Sequence, residues 1–472
     1  VSASSDPLRR HPERARAQAV DSGPGAETSP AAGPRRWLPT LARAAVLTLL
    51  LLLAGALLLG ATALALLRAQ PGEWALRVGN ARWGATLSAP ALIRVATHPL
   101  GLRVLAGRRI AMRAGTLAID AAPGSAGATA LVVTCAPCVI DSRVLAARPI
   151  RVARVVATLQ RRGKDDLHGT LRVDRVPLDW RLRLDRQGAD LELRAHDVPM
   201  ADVVAAFGDA LGDLRHARIA GRAGVEIRVA LPSGRFAIEP RLEGLGVAGL
   251  GAEALLGAAP APACGRPAAR ALRPTSWVAR AVLAAEDQRF HEHPGYDLDE
   301  MSAAWSGVAE PDERRRGAST ITQQLAKLLY TGDDRTMARK LRELLHASDL
   351  ERALGKARIL ELYLAIAPWG DRQCGAEAAA WHYFGRPAAA LDAAEAVWLA
   401  SLLRNPEREL VRWSGAAPPT TRLAAIAHGM RPLGRAARAR LAGEAARFVP
   451  PPVVLARRGD PDPPSVRAAM SR

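Results

Sequence analysis

The sequence predicts a multi-domain chain: an N-terminal transmembrane helix, then a β-rich middle domain, then an α-helical region. Three observations carry that prediction. Ala44 to Leu67 runs 24 residues without a charge, long enough as a helix to cross roughly 30 Å of hydrocarbon. From about 72 to 255, apolar and polar residues alternate in short runs broken by Gly- and Pro-containing turns, the period of half-buried strands. After Trp277 the apolar period lengthens to that of a helix and keeps it to about residue 440. A chain of 472 residues has room for two or three cores.

Residues 1–43 are rich in Ala, Pro, Gly, Ser and Arg without apolar periodicity and read as a disordered cytoplasmic tail. Arg35, Arg36 and Arg43 precede the apolar run at 44–67, whereas Arg68, Glu73 and Arg77 follow it, so the basic flank places the tail inside and the other 400 residues outside. The run exceeds a cleaved signal core and no small-x-small site follows, so it reads as an uncleaved anchor. In a bacterium this is a single-pass inner-membrane protein with its bulk in the periplasm.

Within the domain at 72–255, Leu178 to Leu184 and Asp190 to Arg194 flank a turn at Arg186-Gln187-Gly188, a hairpin with one apolar face. A second hairpin joins Val225–Leu231 to Arg235–Ile238 around Pro232-Ser233-Gly234. Between them Val203, Phe207, Leu211 and Leu214 mark a short amphipathic helix. The pattern is weakly similar to AsmA-like envelope proteins, which implies a lipid-handling or docking surface, but a spacer role is the plainer expectation. Cys135 and Cys138 sit between strand-like flanks, which favours a structural disulfide over a redox pair at a helix start. The pairing of Cys264 and Cys374 is left open, and four dispersed cysteines do not make a zinc site. Residues 256–275 read as a linker, 276–440 as the helical domain and 450–472 as a second disordered tail.

The formal charge of +19 is spread along the chain with few interleaved aromatics, which argues against nucleic acid and suits an anionic lipid surface. There is no Gly-rich loop followed by Lys-Ser or Lys-Thr. Only four of the 65 basic residues are lysines, and Lys327, Lys340 and Lys356 fall within thirty residues of one another. Lysine is a compact point charge and arginine a flat fork, so positions that resist the drift to arginine point to a site needing the former. They follow the stretch Arg316 to Lys327, where small residues give way to hydroxyls, two amides and a lysine. Ser319 falls where a loop enters a helix. With the helix starting at Thr320, Thr320, Gln324 and Lys327 would share one face at i, i+4 and i+7, a row suited to a diphosphate or a sugar.

Here a family resemblance enters. Glu286-Asp287-Gln288-Arg289-Phe290, His293 and Gly295 resemble the first signature of the peptidoglycan glycosyltransferases of family 51, and Gly317 to Gln324 the second. Arg339-Lys340-Leu341-Arg342-Glu343 is similar to the third, Ile359 to Leu364 to the fourth, and Tyr383-Phe384-Gly385 with Glu395-Ala396 and Leu399-Ala400 to the fifth. The five occur in order over less than a third of the chain. The resemblance implies a lysozyme-like α-helical domain that polymerises lipid II, with release of undecaprenyl diphosphate.

On that reading Glu286, closing the apolar run Val282 to Ala285, is the base that deprotonates the incoming 4-hydroxyl, and desolvation would raise its proton affinity toward that task. Glu343 is the second carboxylate. Asp287, Phe290, His293, Thr320, Gln324, Lys327, Arg339 and Lys340 are the substrate-binding set, the cations offsetting diphosphate charge. Leu298, Met301, Trp305 and Val308 form an apolar stripe that the resemblance makes a membrane-dipping jaw. No metal ligand set is read and no cofactor is expected, with Mg²⁺ or Mn²⁺ left open. Implied partners are lipid II, the growing glycan strand and the membrane, with other cell-wall synthases as candidates. The chain departs from the family at Leu328, Ala365 and Ala303, which keeps a non-catalytic scaffold binding glycan or synthases as an alternative, and lytic cleavage as a third. No transpeptidase motif follows Leu403.

Overall fold

A computed structural model describes residues 38–79, 84–124, 129–257, 264, 272–305, 319–332, 334–413 and 420–449. The expected tail at 450–472, nearly all of the tail at 1–43, most of the linker, the segment Arg316–Ala318, Val308 and the side chains of Ala303 and Trp305 lie outside the described residues.

The first unit holds helix α1, Leu38–Leu67, up to Leu66. Its window Ala45–Thr62 has a mean hydropathy of 2.4 and contains no buried residue, as a helix facing lipid would. It starts six residues before the uncharged run, with Pro39 in its first turn where the missing N–H is not needed. Thr62 Oγ1 donates to the carbonyls of Leu58 and Leu59, both at 2.9 Å, so its hydroxyl is satisfied inside the helix.

The second unit runs from Leu67 onward. Strands β1 (Ala75–Gly79) and β2 (Gly84–Ser88) form a small hairpin, and Ser88 caps α2 (Ala89–Ala96) before α3 (Pro99–Leu105). A nine-stranded antiparallel sheet follows, its strands adjacent in chain order: β3 (Arg108–Met112), β4 (Gly115–Pro123), β5 (Thr129–Cys135), then β8 (Val155–Arg161), β9 (Asp166–Val173), β10 (Val176–Leu184), β11 (Ala189–Pro199), β12 (Arg218–Leu231) and β13 (Arg235–Ala248). Between β5 and β8 the chain makes a separate hairpin, β6 (Cys138–Ile140) with β7 (Ile150–Val152). Cys135 and Cys138 are disulfide-bonded and join the sheet to this hairpin.

Both hairpins expected from the sequence are present. Leu182 faces Leu191 and Arg183 faces Asp190, and the turn is closed by Asp185 Oδ1 accepting from the amides of Gln187 and Gly188. Val229 faces Phe236 in the second, whose strands are longer than expected. The expected amphipathic helix is two pieces, α4 (Met200–Ala206) and a 3₁₀ turn at Gly208–Leu214, broken at Gly208 with φ +51°. Of the expected stripe Leu211 and Leu214 are buried, whereas Val203 and Phe207 are only half-buried and the neighbouring Val204 is buried in place of Val203.

The helical region comprises α5 (Trp277–Glu286), α6 (Leu298–Trp305), α7 (Ile321–Ala326) with a π turn at Lys327–Thr331, α8 (Met337–Ile366), α9 (Ala376–Phe384), α10 (Ala393–Ser401), α11 (Pro406–Trp413), α12 (Thr420–Gly429) and α13 (Arg435–Ala446). Gly355 interrupts α8 with φ +71°. Helices α5 and α10 are buried in its centre, where Val278, Ala281, Val282, Val397 and Trp398 pack with Tyr363 and Trp369. Cys264 and Cys374 are disulfide-bonded, which fixes the pairing the sequence left open. The β-rich module packs directly against the helical region. Ile150, Val204 and Leu211 share one apolar cluster with Tyr296, Met301 and Leu345 of the helical region.

Candidate active site

Glu286 is the last residue of α5, and its side chain is 10% exposed. Val278, Ala279, Ala281, Val282 and Ala284 bury most of the helix, and its C-terminal carboxylate lines a cleft of about 570 Å³. The walls include Asp297, Glu300, Ser319, Arg404 and Arg422. Glu286 Oε2 accepts from Gln324 Nε2 at 3.2 Å, and Oε1 accepts from Arg422 Nη2 at 3.2 Å. Burial pushes the Glu286 carboxyl above the usual range, while Arg422, Gln324 and Arg404 pull the other way. Tyr363 Oη donates to Gln324 Oε1 at 2.7 Å, which turns the amide so that Nε2 faces the carboxylate. Burial, with Glu286 and Asp287 nearby, holds the Tyr363 phenol well above its ordinary pKa, so it stays a donor.

The residues after Glu286 build the wall. Asp287 accepts from the amide of Ile321, the first residue of α7, at 2.9 Å, and contacts His293 Nε2 at 2.9 Å. Because the Gly295 amide donates to His293 Nδ1 at 3.2 Å, the ring proton sits on Nε2 and is donated to Asp287. Gly295 has φ +91° and lies against Glu351 and the Ala347 carbonyl, a place only glycine fits. Its carbonyl accepts from Thr320 Oγ1 at 2.7 Å.

These bonds correct part of the expected binding set. Thr320 is the N-cap of α7 and not its first helical residue, with a capping box to Gln323. It borders the cleft, but its hydroxyl is spent on Gly295 and the Gln323 amide, so no row of Thr320, Gln324 and Lys327 forms along one helix face. His293 is 5% exposed and Phe290 1% exposed, the latter under the Lys356 ammonium 4.6 Å from its ring centre. Neither lines the cleft.

Glu343 is 1% exposed on α8. Its carboxylate pairs with the Arg339 guanidinium one turn earlier and with Lys340 Nζ at 3.0 Å, and accepts from Thr331 Oγ1 at 3.5 Å. Burial pulls the Lys340 ammonium below its ordinary pKa, Glu343 opposes that, and Arg339 and Lys327 add to the lowering. Lys327 is the C-cap of α7 and opens the π turn.

Glu343 and Lys340 do not line the cleft that holds Glu286. Ser319 connects the two groups. Its carbonyl accepts from Gln324 Nε2 at 3.3 Å and its hydroxyl accepts from Lys340 Nζ at 2.5 Å. The resulting row, Glu286–Gln324–Ser319–Lys340–Glu343, puts a desolvated carboxylate and a cation cluster on one side of the domain. Both Glu343 oxygens face cations, a donor set that does not fit a divalent ion, and the described residues contain no group of three His, Cys, Asp or Glu placed for a metal.

Sequence reasoning missed Arg422 and Arg404, which come from the loops and helices after α10. No spacing signal marks them in a chain so rich in arginine. Tyr363 stood within the fourth signature without a role, and its helical position seven residues before Gly370 offered none.

Residues 269–430, about a third of the chain, match a family model described as Transglycosylase. The biosynthetic peptidoglycan transglycosylase of Aeromonas hydrophila is 50% identical over 132 residues, which are 28% of this chain and 56% of the relative. Those of Nitrosomonas eutropha and Bordetella pertussis are 46% identical over 127 residues and 47% identical over 131, covering 27% of this chain and 52% and 54% of theirs. The chain thus spans about half the length of the curated relatives it matches. These matches bear out the resemblance to family 51 read from the five signatures.

Proposed function

We propose that this chain is a membrane-anchored peptidoglycan glycosyltransferase with a lysozyme-like helical domain, polymerising lipid II into β-1,4 glycan strands. The observation that carries the reading is the row from Glu286 to Glu343. It offers a carboxylate with raised proton affinity at one end and Lys340 and Arg339 at the other.

The 4-hydroxyl oxygen of an incoming lipid II attacks the anomeric carbon of the growing chain as Glu286 takes its proton. The bond from that carbon to the diphosphate oxygen breaks, the electron pair leaves on undecaprenyl diphosphate, and attack from the opposite face inverts the centre. Lys340 and Arg339, with Lys327 nearby, offset the charge that grows on the leaving group. Gln324, locked by Tyr363, aims the Glu286 carboxylate. Helix α1 anchors the chain in the bacterial inner membrane with its N-terminal tail cytoplasmic and the catalytic domain periplasmic, and other cell-wall synthases are candidate partners.

The scaffold alternative is not favoured. Relatives at about half identity over the matched region carry transglycosylase names, and Leu328 and Ala365 are packed against the helical core. The test is the purified full chain in lipid with lipid II as its only substrate: polymer from the wild type and none from Glu286→Gln supports the reading. No polymer from either, with lipid II bound, would return the scaffold.

A further inference from the structure

The helix that presents Arg339, Lys340 and Glu343 is held by the β-rich module along its length. The first amides of a helix have no partner within it. In α8 the Met337 amide donates to the Val144 carbonyl at 2.9 Å and the Ala338 amide to the Leu145 carbonyl at 2.8 Å. Both carbonyls belong to the loop between β6 and β7, whose base is fixed to the sheet by Cys135–Cys138. Only the third amide, of Arg339, finds a cap on its own side, the Thr336 hydroxyl at 3.2 Å.

Further along, Arg342, Leu345 and Asp349 stand at i, i+3 and i+7 on one face. Arg342 Nη2 donates to the Ala210 carbonyl at 2.7 Å, and its Nε pairs with Asp213 Oδ2 at 2.9 Å. Leu345 is buried in a cluster with Cys135, Cys138 and Ile150. Asp349, 0% exposed, accepts from the amides of Leu250 and Ala252 at 3.2 and 3.3 Å. Thus every turn of α8 from its first residue to Asp349 has a partner in the module or in the chain leaving it, and Glu343 follows Arg342 by one residue.

We propose that the β-rich module is the positioning element for the cationic half of the site: the β6–β7 loop and Asp213 set the start and rotation of α8, and with them the placement of Lys340 and Glu343. This rests on the function proposed above. Asp213 and the disulfide act through α8 and touch no substrate. A misplacement of about 1 Å in such a group is enough to lower turnover on the order of a hundredfold.

The test uses the full chain carrying Asp213→Ala, and separately Cys135→Ala with Cys138→Ala, read by hydrogen exchange and by lipid II turnover. Faster exchange confined to the amides of residues 337–343, with α5 unchanged, is the expected result. It should accompany a fall in kcat of about tenfold, KM within about twofold, and an acid limb of the pH profile left in place. Unchanged exchange at 337–343, or an equal rise in α5 and α8, overturns the proposal, as does an unchanged kcat. If one variant fails to fold, the other decides. If the wild type makes no polymer, the proposed function falls and the exchange result still decides this inference.

Discussion

Arg422 meets Glu286 across 136 residues of chain, Nη2 to Oε1 at 3.2 Å, and the same guanidinium donates through Nε to the Ser401 carbonyl at 3.1 Å. The pair sets two opposed effects on one carboxyl: burial raises its proton affinity and the cation lowers it. Removing the cation leaves burial unopposed by its largest counterweight. Arg422→Ala should therefore raise the Glu286 pKa further and move the acid limb of kcat/KM to higher pH, with Arg422→Lys moving it less. A pH–rate profile for the three chains checks this, and a limb that stays in place would separate Arg422 from the base.

Glu286→Gln keeps the shape of the side chain and removes its basicity. Turnover of lipid II should fall by about 10²- to 10⁴-fold, the usual worth of a placed base. The same group gives a stability signature. Because its folded pKa is raised, its contribution is fully present below the unfolded value near 4.3 and is lost as pH rises through the folded pKa. The melting temperature of the wild type relative to Glu286→Gln should thus decline as pH rises through that window. A gap that is constant with pH would mean that the carboxyl is not desolvated in the folded chain.

Several parts of this arrangement were legible in the sequence and others were not, for physical reasons. The apolar run 44–67 and the alternation at Leu178–Leu184 report a solvent preference residue by residue, so helix α1 and the β10–β11 hairpin were readable. Glu286 and Glu343 sat inside ordered signatures. Thr320 was misread because a threonine at a helix boundary serves equally as cap or first turn, and only its extended backbone decides. Phe290 and His293 are buried away from the cleft lining, and a signature marks residues a family keeps without saying whether they touch ligand or hold those that do. The union of module and α8 was invisible, since backbone carbonyls at Val144 and Leu145 leave no side-chain trace.

Gly295 offers a sharp test of the loop that carries His293. At φ +91° a Cβ would lie 2.6 Å from Glu351 Cγ and 3.2 Å from the Ala347 carbonyl. Gly295→Ala should lose about 1–3 kcal/mol for the backbone conformation alone. It should also disturb the Thr320 hydroxyl that caps α7, so turnover falls with the melting temperature. Thermal melts with parallel turnover check both; a stable chain with full activity would show that the loop adapts at no cost.

Glu343 decides how much charge the cation cluster can hold. Lys340 is buried beside Arg339 and Lys327, and its ammonium is kept charged by the one carboxylate 3.0 Å away. Its folded pKa is depressed, so its contribution to stability is present above the unfolded value and is lost as pH falls through the folded one. Glu343→Gln removes the counter-charge, drives the Lys340 pKa lower still, and leaves two cations facing each other. Breaking such a buried pair typically costs about 3–5 kcal/mol. The Glu343→Gln chain should melt earlier at neutral pH and regain part of that loss as pH rises and Lys340 gives up its proton. On the proposed function its rate profile should lose activity on the alkaline side at lower pH than the wild type, because the ammonium assigned to the leaving diphosphate is gone sooner. Melting curves and rates across the alkaline range measure both effects. An alkaline limb that does not move would place the leaving-group charge on Arg339 and Lys327 instead of Lys340.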